Sequence, residues 1–268
     1  MVRSILGTLN TLGTLGTFSM SYKFRKTINY LLKARHRNGH GIHSPFLFRL
    51  ITEVMENRGN YSAWPLLRGA DENVRNMLKI LDMKSYHQGG TSEAGLGCRD
   101  IKNLHQLPER FDRLLFRLVN EFRPGRIAYY GSTFGVTLLA LALADRRISV
   151  VAQVENDHYR SFCRRLAEVY EVGNLNITGS GNVAPADFVV IQHPLDPSYC
   201  DNLMAKILAE SGYGGVIVLC GIHHSEEMEA IWNRHKVSQT VRISLDLFEM
   251  GILICRQGLQ KEDFVLRF

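Results

Sequence analysis

The sequence has no Cys-x-x-Cys pair, and its five cysteines are scattered and odd in number. Closely spaced cysteines mark structural zinc sites and disulfide-rich secreted domains, so neither class of protein is expected. Three of the cysteines lie within apolar runs. This placement predicts reduced core residues in a cytoplasmic protein.

Acidic residues are absent from the first 52 positions, which contain eight Lys or Arg; the first carboxylate belongs to Glu53. Subtracting these eight from the 32 basic residues leaves 24, against 26 acidic residues in the rest of the chain. The formal net charge of +6 therefore comes entirely from the N-terminal segment. The calculated pI of about 9.1 does not indicate a basic catalytic domain, and no specific nucleic-acid partner is expected.

A long apolar segment is also missing from the N-terminus. The first twenty residues repeat a Thr-Leu-Gly theme, and they contain too few apolar side chains to span a bilayer. No Ala-x-Ala cleavage site follows, which disfavours a secretory signal peptide. We expect residues 1–20 to form a disordered tail, with Met20 as a candidate natural start.

Residues 23–37 carry six Lys or Arg around an apolar face that includes Ile28 and Leu31. This pattern predicts a basic amphipathic helix that meets an anionic partner or a membrane surface, or else a surface helix with a solvated basic face. Ser44 and Pro45 form a helix start, and a further helix is predicted across Trp64 to Leu81. We interpret residues 21–107 as an N-terminal helical cap region.

Three histidines in this region, His36, His40 and His43, have the spacing of residues on one helix face. Gly39 and Gly41 interrupt that helix, and no nearby acid completes a ligand set. No metal site is therefore predicted.

The stretch from Arg126 to Asp157 predicts a strand, a glycine turn, a helix and a second strand. An amphipathic helix over residues 108–125, with apolar residues at a 3.6-residue period, leads into it. Helices and apolar runs alternate afterwards, and residues 241–255 predict an antiparallel hairpin. Residues 108–268 therefore predict a doubly wound, mostly parallel α/β sheet.

The glycine turn, Gly131 to Gly135, lies where open parallel sheets bind ligands. Glycines allow close approach of the backbone, the next helix starts with unpaired N–H groups, and Glu155 could accept bonds from ribose hydroxyls. This pattern favours a nucleoside site, although glycines also serve turn geometry alone. A nicotinamide dinucleotide enzyme is disfavoured because the spacing is GxxxG rather than GxGxxG.

Residues 20–268 are similar to the class I S-adenosylmethionine-dependent methyltransferases, and more narrowly resemble a bacterial O-methyltransferase-like family of Bacteroidetes. The matching segments are His40–Phe46, Leu115–Val119, Gly131–Gly135, Glu155, Asp187, Ile222–His223 with Ser225, Met228 and Trp232, and Leu245–Phe248 with Gly251.

The resemblance implies a seven-stranded sheet with S-adenosylmethionine above its first two strands, a small-molecule acceptor, and no metal. Gly131, Ser132 and Gly135 would face the methionine part, and Glu155 the ribose hydroxyls. The same resemblance assigns the following positions to the cofactor site: Tyr129, Gly131, Ser132, Thr133, Gly135, Glu155, Asn156 and Gln192.

Several acids of that family are replaced in this sequence. Tyr129 stands where an acid usually holds the cofactor's ammonium group, and Gln192 stands where an acid usually ends the fourth strand. Cys220 and Gly221 replace two acids that bind a divalent cation in metal-dependent relatives, and they cannot supply oxygen ligands for Mg²⁺. The loop between residues 178 and 187 is short, and the family's acid-glycine motif is changed at residues 87–90.

Two hypotheses follow. In the first, the protein transfers a methyl group from S-adenosylmethionine to a small hydroxyl or carboxyl acceptor without a metal, with His223 or His193 as the base. In the second, it is a catalytically inactive binding or scaffold protein with a basic N-terminal interaction helix. Both leave open whether the chain forms a homodimer. The Tyr129 side chain discriminates between them, because a ring that fills the space above Gly131 closes the methionine pocket.

Overall fold

The structure is a computed structural model, and it describes residues 22–34, 42, 44–87, 107–179, 181, 185–192, 195–210 and 212–268. None of the helices within these ranges is both long enough and apolar enough to cross a membrane. Four of the five cysteines fall within them; all four are buried and free, as the sequence predicts.

The described residues form one eight-stranded sheet. Its strands are β1 (Arg126–Tyr130), β2 (Ser149–Gln153), β3 (Leu175–Thr178), β4 (Phe188–Ile191), β5 (Val216–Cys220), β6 (Ile243–Asp246), β7 (Met250–Ile254) and β8 (Glu262–Val265). The strand order is β3-β2-β1-β4-β5-β7-β6-β8. All neighbouring strands are parallel except β7, which runs antiparallel to both β5 and β6. The predicted doubly wound sheet and its terminal hairpin are confirmed.

The expected number of seven strands is wrong by one, because β8 adds to the edge of the sheet beside β6. The sequence of β8, Glu-Asp-Phe-Val, is short and half acidic, and its residues are only partly buried. An edge strand needs neither the apolar run nor the strict alternation by which strands are recognised in a sequence.

The helices precede and separate these strands. They are α1 (Tyr22–Lys33), α2 (Pro45–Arg49), α3 (Ala63–His87), α4 (Glu109–Phe122), α5 (Val136–Ala144), α6 (Asp157–Val169), α7 (Pro197–Ala209) and α8 (Glu226–Lys236). A π-helical segment (Leu50–Met55) continues α2 directly. The predicted helix start is confirmed, since Ser44 caps α2 and accepts a hydrogen bond from the Leu47 amide at 3.4 Å.

Two hydrophobic cores lie on the two sides of the sheet. Because side chains alternate along a strand, Ile127 and Tyr129 of β1 belong to the core that contains α3, α4, α5 and α6, while Ala128 and Tyr130 belong to the core with α7 and α8. The π-helical segment and α3 contribute to the first core. These two segments of the cap region therefore pack against α4 and α5, on the side of the sheet that carries Tyr129.

Helix α4 places one buried carboxyl group near the glycine turn. Asp112 is 5% exposed and accepts a hydrogen bond of 2.8 Å from the hydroxyl of Thr137 on α5. Burial raises the pKa of Asp112 to about 7, although the bond from Thr137 lowers it. The bond joins two helices that pack closely together. The protonation state of the Asp112 carboxyl group therefore affects the stability of the fold.

We expect Gly251→Ala to destabilise the protein by about 1–3 kcal/mol. A Cβ on Gly251 would lie 2.5 Å from the ring of Trp232, which is rigid and 1% exposed. Urea unfolding measures the loss. Gly173→Ala is the matched control, because no atom lies within 4 Å of its added Cβ. Equal stability of the two variants would contradict the packing described here.

We expect Asp112→Asn to become more stable relative to the wild type as the pH rises. The folded-state pKa of about 7 exceeds the unfolded value of 3.8, so the wild type loses stability between these two values as the carboxyl ionises. An amide keeps the bond to Thr137 but does not ionise. The difference in unfolding free energy should grow by on the order of 3 kcal/mol between about pH 4 and pH 8. Urea unfolding at several pH values measures it, and a difference that is independent of pH would refute this account.

Candidate functional site

The glycine turn connects β1 to α5 and packs against the end of β4. Gly131 has a φ of +128° and Gly135 a φ of +94°, both in the region that favours glycine. A Cβ on Gly131 would lie 2.3 Å from the carbonyl oxygen of Gln192. The Gly135 amide donates a 3.0 Å hydrogen bond to the hydroxyl of Thr133. The turn is therefore tight, as predicted, and it leaves no space beside Gly131.

Tyr129 is fully buried beneath this turn, with no part of its side chain exposed. Burial raises the pKa of Tyr129 well above its usual value, while the nearby Thr133 side chain lowers it slightly. Its hydroxyl makes no hydrogen bond of normal geometry. An uncharged phenol in this position cannot balance the positive charge of an ammonium group as a carboxylate does.

Among the described residues, a cavity of about 10 Å³ lies beside the turn. It is lined by residues of α3, α4, the turn and the end of β4, among them Asp71, Leu107, Asp112, Phe134 and Gln192. This volume corresponds to about one water molecule. This cavity by itself is too small for the methionine part of S-adenosylmethionine.

The end of β2 is open by comparison. Glu155 is exposed at this end. Burial raises the pKa of Tyr199, and the negative charge of Glu155 adds to the effect. The side chain of Asn156 instead caps α6 and accepts hydrogen bonds from the His158 and Tyr159 amides at 2.9 and 3.2 Å. A carboxylate beside an exposed crevice can accept bonds from ribose hydroxyls.

The structure thus brings together most of the residues predicted for the cofactor. Tyr129, Thr133 and Gln192 meet at the closed turn, and Ser132 is partly exposed within it. Glu155 and Asn156 lie on the neighbouring strand end. The predicted base His193 lies outside the described residues.

His223, the other predicted base, lies in the turn after β5 and forms a pair with Asp246 of β6. Its Nε2 atom is 2.8 Å from a carboxylate oxygen of Asp246, and its Nδ1 atom is buried without a hydrogen bond among the described residues. The Nδ1 atom lies 3.9 Å from Glu229. The ring stacks on Phe248 with a centroid distance of 5.3 Å. An imidazole held by a carboxylate on one nitrogen can accept a proton on the other.

Helix α1 covers this His223–Asp246 pair. Lys26 donates a 2.7 Å hydrogen bond to Glu229, and Tyr22 donates another to the same carboxylate. Burial tends to raise the pKa of Glu229, but the bonds from Lys26 and Tyr22 outweigh it and lower the pKa. Arg25 lies 3.7 Å from Glu226. Two of the basic residues assigned to an anionic partner are thus paired with α8 of the same chain, and an external partner stays a prediction.

Two carboxyl groups of this edge were missed by sequence reasoning. Asp246 occurs within the matching segment Leu245–Phe248 but received no role, and Asp112 occupies a buried position of α4 beside an apolar stripe. An acid inside a buried strand or on the apolar face of a helix is a usable signal, because buried charges require partners.

No protein-family model matches the sequence, and no curated protein matches it. Several solved structures have a similar fold. The cofactor-bound Rv0187 protein from MTB is 13% identical with a TM-score of 0.52, covering 80% of this chain and 95% of the other. A methyltransferase from Geobacter sulfurreducens is 13% identical with a TM-score of 0.51, covering 74% and 92%.

The SAH-bound methyltransferase PaMTH1 from Podospora anserina is 10% identical with a TM-score of 0.50, covering 75% of this chain and 99% of the other. Structural similarity at this low level of sequence identity shows a shared fold and nothing more. Together with the strand order and the antiparallel β7, it shows that the chain has the class I methyltransferase fold.

Proposed function

We propose that this protein is a catalytically inactive, methyltransferase-fold binding protein that binds the nucleoside part of S-adenosylmethionine or S-adenosylhomocysteine. The observation that carries the proposal is the closed glycine turn, where Tyr129 is fully buried and a cavity of about 10 Å³ remains. The neighbours described as SAH-bound or cofactor-bound support the choice of ligand class.

Methyl transfer requires that the methyl group lie in line with the attacking atom of the acceptor. An enzyme achieves this by holding both reactants in a fixed geometry. Here the turn offers neither the volume for the methionine part nor, at Tyr129, a charge for its ammonium group. The nucleoside part has a different environment, because Glu155 is exposed at the end of β2. We therefore propose that the protein binds the nucleoside part but does not transfer a methyl group.

We expect adenosine and S-adenosylhomocysteine to bind with dissociation constants within about threefold of each other, because the homocysteine part makes no contact at the turn. Isothermal titration with each ligand measures the two constants. S-adenosylhomocysteine binding that is more than about a hundredfold tighter would show an open methionine pocket and contradict the proposal.

We expect Glu155→Gln to weaken adenosine binding on the order of tenfold, because a carboxylate accepts stronger hydrogen bonds from hydroxyls than a neutral amide does. Glu168→Gln is the control, since it removes an equal charge from an exposed position on α6. Equal adenosine affinities in the two variants would show that Glu155 does not contact the ligand. The absence of binding heat with both adenosine and S-adenosylhomocysteine would refute nucleoside binding.

The second candidate is a metal-independent methyltransferase for a small hydroxyl or carboxyl acceptor. The His223–Asp246 pair favours it, because the described residues form no hydrogen bond with the buried Nδ1 atom of His223 and the ring is fixed by Asp246 and Phe248. In this candidate His223 accepts the acceptor's proton and Asp246 stabilises the resulting positive charge. The pair supports proton transfer only, so the candidate also requires space for the cofactor at the turn.

For this candidate we expect release of S-adenosylhomocysteine from S-adenosylmethionine with a panel of small hydroxylated and carboxylated acceptors. His223→Gln should lower the rate by a factor of about 100 or more, since it removes the base. His158→Gln, at an exposed position of α6, is the control. Mass spectrometry of the products measures the rate. The candidate fails if no acceptor supports release or if both variants retain the wild-type rate.

A further inference from the structure

A cavity of about 770 Å³ lies away from the glycine turn, between the residues that follow the π-helical segment, the first turns of α3, and α4. None of the residues predicted for the cofactor lines it. Five arginines from these three parts of the chain do: Arg58, Arg68, Arg110, Arg113 and Arg117. We refer to it as the arginine cavity.

Positive charge in the arginine cavity exceeds negative charge. Glu72 is the one acid among its described lining residues, and Glu109 forms an ion pair with Arg113. Within the described part of the chain, the other four arginines have no carboxylate partner. The guanidinium group of Arg110 lies over the Phe111 ring at 5.0 Å. The five arginine side chains therefore exceed the two acidic side chains by three charges, and by two when the terminal carboxylate of Phe268, another lining residue, is counted.

The innermost arginine is fixed in place without a neutralising charge. Arg117 is 8% exposed, and its guanidinium group donates hydrogen bonds to the carbonyl oxygens of Val54 and Met55 at 2.7 and 2.9 Å. Burial lowers the pKa of Arg117. Carbonyl dipoles satisfy its donors, but a buried cation without a nearby anion is costly. Bound anions reduce such a cost.

Arg113 is also held in a defined position. Its guanidinium group lies 5.2 Å from the ring of Trp64, a side chain that is itself 6% exposed. Its Nε atom is buried and makes no hydrogen bond among the described residues. The rest of the side chain is partly exposed, so the stacked guanidinium group presents its positive charge to the cavity in a fixed position.

We propose that the arginine cavity binds a small molecule that carries a phosphate group. Arginine guanidinium groups match the oxygens of a phosphate in bidentate geometry, and several of them together match a multiply charged anion. The cavity is open to solvent, and its volume is in the range of small-molecule sites rather than of a surface for a nucleic-acid duplex. This site is independent of the nucleoside crevice at Glu155.

The test is isothermal titration of the full chain with pyrophosphate at about 0.1 M salt, where long-range attraction between exposed charges is largely screened. We expect a dissociation constant below about 1 mM. Arg68→Gln and Arg110→Gln should each weaken binding on the order of tenfold, because each removes a charge-assisted hydrogen bond. Both positions are exposed, so both variants should fold.

Arg165→Gln is the matched control: it removes an equal charge from an exposed position on α6 outside the arginine cavity. It should leave pyrophosphate affinity within about twofold of the wild type. Glu155→Gln should also leave it unchanged, which separates this site from nucleoside binding. Ribose 5-phosphate, titrated separately, distinguishes a phosphorylated sugar from a free diphosphate as the preferred source, and binding of either supports the site. No heat with either probe, or equal losses in Arg68→Gln and Arg165→Gln, would overturn the proposal.

Discussion

The contact between Gly131 and the main chain of Gln192 determines the shape of the carboxyl edge of the sheet. A side chain at Gly131 would collide with the Gln192 carbonyl oxygen, so the turn after β1 and the end of β4 lie directly against each other. Tyr129 occupies the adjoining space on the side of α4 and α5. Because the described residues leave only about 10 Å³ at this turn, our proposal places ligand binding on either side of it.

The two sides differ in chemical character. At the end of β2 an exposed carboxylate, Glu155, faces solvent and suits hydroxyl groups. At the ends of β5 and β6, His223 and Asp246 form a buried polar pair that α1 covers through hydrogen bonds to Glu229. In the function we propose, the turn separates the nucleoside site at Glu155 from the His223–Asp246 pair, whereas methyl transfer requires the two to be continuous.

The positively charged residues of the N-terminal helix and those of the arginine cavity differ in their partners. Arg25 and Lys26 of α1 meet acids in the first turns of α8, so part of the N-terminal positive charge attaches the helix to the sheet domain. The arginine cavity has few acids among its described neighbours, and its charges remain available to a ligand. The formal charge of a segment therefore says little about binding until its partners within the fold are known.

The sequence by itself determined the order of helices and strands, because burial on one side of a helix or strand repeats along the chain. The helix predicted over residues 108–125 begins one residue later and ends three residues earlier, and the strand predicted from Arg126 forms β1. It also determined the tight glycine turn. Only the tertiary structure decided whether that turn leaves space for a ligand, because the effect of Tyr129 depends on α4 and α5 packing over it. An acid inside a buried strand marks Asp246, but its pairing with His223 and the arginine cavity join distant parts of the chain, so only the tertiary structure reveals them.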